Sequence, residues 1–381
     1  MSESSSKCRP GEVRDAIVRV LSAHGRPLPV KEIEEGVSRL VEDASPSSVR
    51  SYLRLNTPEM FVREERGVYG LQLKLRRRPR QPAVGRDSYD SFTVGNATLV
   101  HADCFDWLED QPDRSIHAIV TDPPYGLHEY SPEQQTKLRN GRGGVWRIPP
   151  SFDGSKRSPV PRFTTLTQDQ LEGIRDFFYA WTQVLLPKLV PGANVVVASN
   201  PLLSYLVSFA LAEAGLERRG EITRLVTTMR GGDRPKGAHK EFAQVSVMPR
   251  AMWEPWLVYR RPLVGRVQDN LREWKTGGFR RPSRDKPFGD VIRSAPTRKE
   301  EREQASHPSL KPQRFMRTVV RAVLPLGEGV VVDPFAGAGS TLAAAEAVGY
   351  ASIGIEKDEH YFEMARKAIP KLAQMRVRRK R

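Results

Sequence analysis

Asp122-Pro123-Pro124-Tyr125 closes the apolar run Ile119-Val120-Thr121, and its residue types suit one kind of chemistry. Two successive prolines fix φ and hold the turn rigid. The Asp122 carboxylate and the Pro123 carbonyl then become preorganised acceptors, with the flat apolar face of Tyr125 beside them. A planar amine donor fits that frame, and the exocyclic amine of adenine or cytosine is such a group. Its lone pair is delocalised into the heterocycle, which makes it a poor nucleophile. Acceptors on both amino hydrogens favour a pyramidal nitrogen whose lone pair points at an electrophile. Catalysis would then come from proximity and electrostatics, with no covalent intermediate. Taken alone, the tetrapeptide is equally compatible with an ordinary strand-ending turn.

A second motif, Val330-Val331-Val332-Asp333-Pro334-Phe335-Ala336-Gly337-Ala338-Gly339-Ser340-Thr341, runs as strand, glycine-bearing turn and helix start. Gly337 and Gly339 let a backbone approach a ligand closely. No lysine precedes Ser340-Thr341, so it is not a Walker loop, and Leu342 stands where a dinucleotide fingerprint carries its third glycine. Glu356 ends the next apolar run, Ser352–Ile355, where an acidic residue can bind a ribose diol. The combination reads as a nucleoside site without a pyrophosphate. Methylation of cytosine C5 is disfavoured, because it needs a thiolate to attack the ring. Of the two cysteines, Cys104 follows Asp103 rather than a proline, and Cys8 lies in a polar N-terminal tail.

The tetrapeptide followed much later by the glycine loop resembles the S-adenosylmethionine-dependent DNA amino-methyltransferases, in the permuted order usually called class β. His307-Pro308-Ser309-Leu310-Lys311-Pro312 is similar to the segment that precedes the cofactor loop in that family. The resemblance covers about residues 92–370. It implies an α/β fold, a Rossmann-like seven-stranded class I methyltransferase sheet with a reversed last hairpin and helices on both faces. It implies catalysis by Asp122, Pro123, Pro124 and Tyr125. For S-adenosyl-L-methionine it implies a pocket shaped by Phe335, Gly337, Gly339 and Ser340, with Asp333 at the strand end. Glu356 would bind the ribose hydroxyls and Asp103 the adenine side, and Lys311 and Pro312 would help close the pocket. Asp103 could equally cap the helix after it, and His307 reads as structural. In that family Asp at the first tetrapeptide position is mostly associated with adenine N6 and Ser with cytosine N4, so the resemblance implies adenine. The two amines share geometry, so cytosine N4 stays as the alternative. A DNA-binding regulator with an inactive methyltransferase-like body is the rival from another class, and the intact motifs speak against it.

These residues need elements to hold them. Short β-rich runs alternating with helical stretches from Phe92 onward mark an α/β domain. Strands are expected at Thr98–His101, Ile116–Thr121, Asn194–Ala198, Trp256–Tyr259, Val330–Val332 and Ser352–Ile355. Helices are expected at Gln168–Leu186, Leu202–Ala214, Gln313–Val323, Ser340–Ala347 and Glu359–Ala373. Ahead of them, residues 10–75 read as a small winged helix-turn-helix-like domain of three helices and a hairpin. Its third helix, after the cap Ser45-Pro46, turns Val49 and Leu53 inward and Arg50 and Arg54 outward. Residues 76–91 form a basic linker, 92–374 the methyltransferase domain and 375–381 a basic tail. Within 92–374, residues 126–165 are expected to order as a mobile loop over a flipped base. Residues 228–305 are the expected target-recognition region.

Charge agrees with a nucleic-acid partner. The 381 residues carry a net charge of +16, a balance that in a protein usually meets a polyanion. The excess is blocked: +4 over residues 1–90, +10 over 217–302 and +8 over 366–381, against −3 over 91–216 and −3 over 303–365. The basic blocks hold the expected DNA contacts Arg50, Arg54, Arg230, Arg234, Lys236, Arg280 and Arg281. Double-stranded DNA is the expected partner, its target base flipped out of the stack. A homodimer and a partner restriction endonuclease are compatible with the same reading. No apolar run reaches the length of a membrane helix, no membrane partner or metal is expected, and two cysteines fit a reducing cytoplasm. A cytoplasmic, nucleoid-associated, prokaryotic protein is the expectation.

Overall fold

A computed structural model describes residues 12–24, 26–41, 44–57, 61–71, 89–124, 166–230, 235, 238, 240–247, 249, 251–305, 307 and 310–377. Tyr125, the 126–165 loop, Arg234, Lys236 and most of the linker and tail lie outside them. The chain forms two compact units, Met1–Arg86 and Asp87–Arg381.

The first unit runs α1 (Glu12–His24), β1 (Leu28–Pro29), α2 (Val30–Ser38), α3 (Pro46–Leu55), β2 (Phe61–Glu65) and β3 (Val68–Leu71). The three strands form an antiparallel sheet in the order β1-β3-β2. Ser45 caps α3 by accepting the Ser48 N–H at 3.1 Å, and Pro46 opens the helix. Val49 and Leu53 are buried with Ile17, Leu28, Ile33, Val37 and Phe61 in one core. Arg50 and Arg54 are both exposed, and Arg50 also pairs with α2, its Nε 2.6 Å from Glu34.

The second unit runs β4 (Asp90–Val94), β5 (Ala97–His101), α4 (Cys104–Asp110), β6 (Ile116–Thr121), α5 (Gln168–Lys188), β7 (Leu189–Ala198), α6 (Ser204–Glu213), β8 (Glu217–Arg230) and β9 (Ala251–Arg260). It continues through α7 (Val267–Glu273), β10 (Val291–Ser294), α8 (Lys299–Gln304), α9 (Gln313–Val323), β11 (Val330–Asp333), α10 (Ser340–Val348), β12 (Ala351–Glu356) and α11 (Glu359–Gln374). The sheet order is β10-β8-β9-β7-β6-β11-β12-β5-β4. Among the described residues it has nine strands where seven are expected. The two additional strands, β4 and β10, are its edges.

Strands β7, β6, β11, β12 and β5 are mutually parallel, and β9 runs antiparallel to both β7 and β8. That is the expected reversed hairpin. The central strands read as unbroken apolar runs because both faces are covered. Alternation decides which side chain goes where. Ile119, Val195, Val197 and Leu257 pack under α5, while Ala118, Val120, Val196 and Val258 pack under α9 and α10.

The expected helices and central strands all form, with ends moved by a few residues. The 228–305 region departs most from expectation. Its residues 251–260 are a central strand of the sheet, and Thr276 and Asn270 are buried against β7. Among the described residues no helix is long and apolar enough to cross a membrane.

Candidate active site

Strands β6 and β11 are parallel neighbours, with Ala118 opposite Val331 and Ile119 opposite Val332. Their carboxyl ends therefore emerge together and set Asp122-Pro123-Pro124 beside the Asp333–Gly339 loop, where open α/β sheets place ligands. Asp122 is half-buried, Pro123 buried and Pro124 exposed. The Thr121 hydroxyl donates to Asp333 Oδ1 at 2.6 Å, and the Phe335 N–H donates to the same oxygen at 3.2 Å. Asp333, only 3% exposed, thus ties the two motifs to each other and shapes the pocket through the loop. Burial pushes its carboxyl up to about 6, against the hydrogen bonds from Thr121, Thr341 and Phe335, and the Asp122 charge adds to the rise.

The loop turns at Gly337, with φ +51°, and its N–H donates to Glu356 Oε2 at 2.8 Å. Glu356 Oε1 accepts the Asp358 N–H at 2.8 Å. Burial raises the Glu356 carboxyl above its ordinary range despite those bonds. Gly339 has a packing reason of its own: at φ +75° it precedes α10, and a Cβ there would overlap Ile369. Register sets β5 beside β12, with His101 opposite Glu356. Asp103 consequently lies near Glu356. It caps α4 by accepting the Phe105 N–H at 3.0 Å, and its other oxygen is 2.6 Å from Lys357 Nζ. Phe335 completes one wall, packed on Phe177 and Trp181.

The segment before α9 crosses this end of the sheet. The Lys311 N–H donates to Ser340 Oγ at 3.3 Å, which uses the Ser340 hydroxyl to dock the segment. Buried Pro312 precedes the helix. His307 stands edge-on to Tyr361 with ring centroids 4.5 Å apart. Burial, together with the nearby Lys311 ammonium, lowers its imidazole to about 4, so the ring is neutral at pH 7. Lys311 also meets two carboxylates. Its Nζ is 2.7 Å from Asp122 Oδ2 and 3.4 Å from Glu254 Oε1. Glu254 in turn binds Arg224 at 3.0 Å. Neither Glu254 nor Arg224 is suggested by a motif. The available signal is a charge at a core register, Arg224 between buried Ile222 and Val226.

One cleft is lined by Asp122, His307, Lys311, Phe335, Gly337 and Ser340. Its donor set fits a nucleoside cofactor. The Glu356 oxygens accept the Gly337 and Asp358 N–H groups, and a carboxylate oxygen can accept more than one hydrogen bond. Gly337 holds the loop backbone open where a Cβ would stand 3.3 Å from the His307 ring, and Phe335, Leu310 and Ala336 supply apolar lining. Among the described residues no group of His, Cys, Asp and Glu could hold a metal ion.

The basic residues divide. Arg281 is exposed. Arg280 lies at the opposite end of the strands from Asp122. Its N–H donates to Ala322 O at 2.8 Å, at the end of α9, and its guanidinium donates to the Tyr350 hydroxyl at 2.9 Å, just before β12. Arg230 ends β8.

A family model described as DNA methylase, N6_N4_Mtase, matches residues 116–367, more than half of the chain. The chain is 25% identical over 279 residues to the type II methyltransferase M2.LlaDCHI of Lactococcus lactis subsp. cremoris, covering 72% of this chain and 90% of that one. It is 24% identical over 279 residues to the type II methyltransferase M2.DpnII of Streptococcus pneumoniae, covering 73% and 91%. Among solved structures it is similar to the M1.HpyAVI–SAM complex, at 19% identity and a TM-score of 0.46 over 72% of this chain and 98% of that one. It is also similar to PvuII DNA methyltransferase (cytosine-N4-specific), at 13% identity and a TM-score of 0.47 over 74% and 92%. The chain belongs to the N6_N4_Mtase family and is a DNA methyltransferase that depends on S-adenosylmethionine.

Proposed function

We propose that this methyltransferase, of the permuted class, modifies the N6 amine of adenine in a flipped-out base at a specific DNA sequence. The observation that carries the reading is Asp122: a half-buried carboxylate at the carboxyl end of β6, bonded through Thr121 and Asp333 to the loop at the end of β11. Bound S-adenosylmethionine supplies an electrophilic methyl group there. Asp122 and the Pro123 carbonyl accept the two amino hydrogens and localise the nitrogen lone pair. Glu356 and Asp103 would hold the nucleoside end of the cofactor, and Phe335 with the Gly337 turn would wall its pocket. Pro123 and Pro124 keep the acceptors aimed before the base arrives, so little reorganisation accompanies the reaction. Pairing in a duplex hides the amine, so the base has to leave the stack.

The likeness to type II methyltransferases supports a place in restriction-modification, with double-stranded DNA as substrate. The exposed basic residues, Arg281 among them, would supply phosphate contacts. The first unit would act as a winged helix that adds a second contact through α3, led by Arg54, because Arg50 is engaged by Glu34. Deleting residues 1–80 should lower DNA affinity and flatten its salt dependence. Unchanged affinity and slope would assign the unit to protein contact. Modification-aware sequencing of DNA from cells expressing the protein tests the main reading. N6-methyladenine in one sequence context is expected, and N4-methylcytosine would overturn the choice of base.

A further inference from the structure

The β8–β9 hairpin carries two buried charges that the scheme above leaves unused. Arg224 on β8 and Glu254 on β9 are register partners, and Arg224 Nη1 donates to Glu254 Oε2 at 3.0 Å. Arg224 is 2% exposed. It is fixed on two further sides: its Nε donates to Ser294 Oγ at 3.1 Å, and its guanidinium lies over the Phe315 ring, 5.2 Å from the centroid. Glu254 is 9% exposed. Its Oε1 accepts the Trp256 indole N–H at 2.9 Å and faces Lys311 Nζ at 3.4 Å. Lys311 Nζ reaches Asp122 at 2.7 Å. The charges therefore alternate in sign along Asp122, Lys311, Glu254 and Arg224, from the end of β6 to the edge of the sheet.

Such a chain has a physical purpose. A lysine ammonium is a compact point charge on a flexible stem and does not fix its own position. A second carboxylate, itself locked by an arginine and an indole, does fix it. Lys311 lies between two carboxylates, so the cation that orients Asp122 is itself held from the other side. Burying three charges beside a half-buried fourth for stability alone is poorly rewarded, since apolar residues of similar volume often serve as well or better.

We infer that Glu254 and Arg224 are positioning residues for methyl transfer, acting through Lys311 to set the Asp122 carboxylate. This rests on the reading of Asp122 as the acceptor for the target amine.

The test measures kcat, the KM for a DNA substrate, S-adenosylmethionine affinity by calorimetry, and Tm, for the full-length protein and its variants. Glu254→Gln removes the charge facing Lys311 at nearly constant shape. It should lower kcat about tenfold or more and leave cofactor affinity within about twofold. Lys311→Met should also lower kcat. Adding Glu254→Gln to it should cost less than about threefold more, because the two act as one unit. Glu254→Asp keeps the charge but withdraws it by one methylene, and should retain Tm with an intermediate kcat. Glu254 variants that keep the wild-type kcat, or effects of Glu254→Gln and Lys311→Met that multiply, would overturn the relay. So would kcat losses matched by equal losses of cofactor affinity and Tm, the pattern of a merely structural pair. Asp122→Ala separates the two levels. Retained methylation in that variant sinks the reading of Asp122 itself, whereas an inactive Asp122→Ala beside a fully active Glu254→Gln sinks the relay alone.

Discussion

Asp333→Asn should change how stability depends on pH in a way that isolates one buried carboxyl. The native carboxyl is pushed up to about 6 from an ordinary 3.8, chiefly by burial. An acid with a raised native pKa holds its proton in the folded state after the unfolded chain has released it. Between about pH 4 and 6 the native state therefore binds more protons, and stability falls as pH rises through that window. The rise of about two pKa units corresponds to about 3 kcal/mol lost from the acid side to neutral pH. The residue is almost fully buried, so solvent screening reduces this little. Asparagine keeps the geometry, since its carbonyl can still accept from Thr121 and from the Phe335 N–H. His307 works in the opposite sense. Its imidazole is lowered to about 4, so stability is lost as pH falls from 6.5 toward 4. That contribution is common to both proteins and cancels in their difference. Urea denaturation of wild type and Asp333→Asn from pH 4 to 7.5 gives the difference directly. The variant should gain on wild type by about 2.5 kcal/mol across the interval, most of it below pH 6.5. Parallel curves would refute the assignment of a strained, ionised Asp333 to the junction of the two motifs.

Two further substitutions test the placement of residues. Gly337→Ala puts a side chain at φ +51° and 3.3 Å from the His307 ring. It should cost about 1 kcal/mol of stability and weaken S-adenosylmethionine binding about tenfold by calorimetry, and unchanged binding would remove the loop from the cofactor pocket. Arg280→Ala removes a guanidinium held by Tyr350 at the far end of the sheet. It should lower stability by about 1 kcal/mol while DNA affinity and its salt slope stay as in wild type. A slope smaller by about one charge would return Arg280 to the DNA.

Much of the candidate site is readable before any fold is known, and the reason is local. The β6 and β11 runs are buried on both faces and end in residue types that core strands avoid, so Asp122 and Asp333 stand out. Glycines flank the turn that the Glu356 carboxylate clamps, and the helix Gln313–Val323 forms with the expected bounds because its apolar positions keep a helical period. The sheet edges are harder to read. β4 and β10 are short and largely exposed, and β8 mixes charges with apolar residues, so none has the continuous apolar signature of the centre. Long-range polar contacts are hardest. Arg224 and Glu254 are 30 positions apart, and Glu254 and Lys311 further still, so their meeting depends on β9 lying between β8 and β7 and on the approach to α9 crossing the strand ends. The same limit applies to Arg280: a basic, Gly-rich segment suggests DNA, and only the fold shows its guanidinium bonded to Tyr350.

Nucleoside mass spectrometry of duplex DNA, incubated with the protein and methyl-labelled S-adenosylmethionine, shows which base is methylated and whether Asp122 is needed when wild type and Asp122→Ala are compared. Label should appear in N6-methyldeoxyadenosine with wild type. It should fall by at least about a thousandfold with Asp122→Ala, whose cofactor affinity stays within about twofold. Label in deoxycytidine, or methylation by Asp122→Ala at the wild-type rate, would contradict the account.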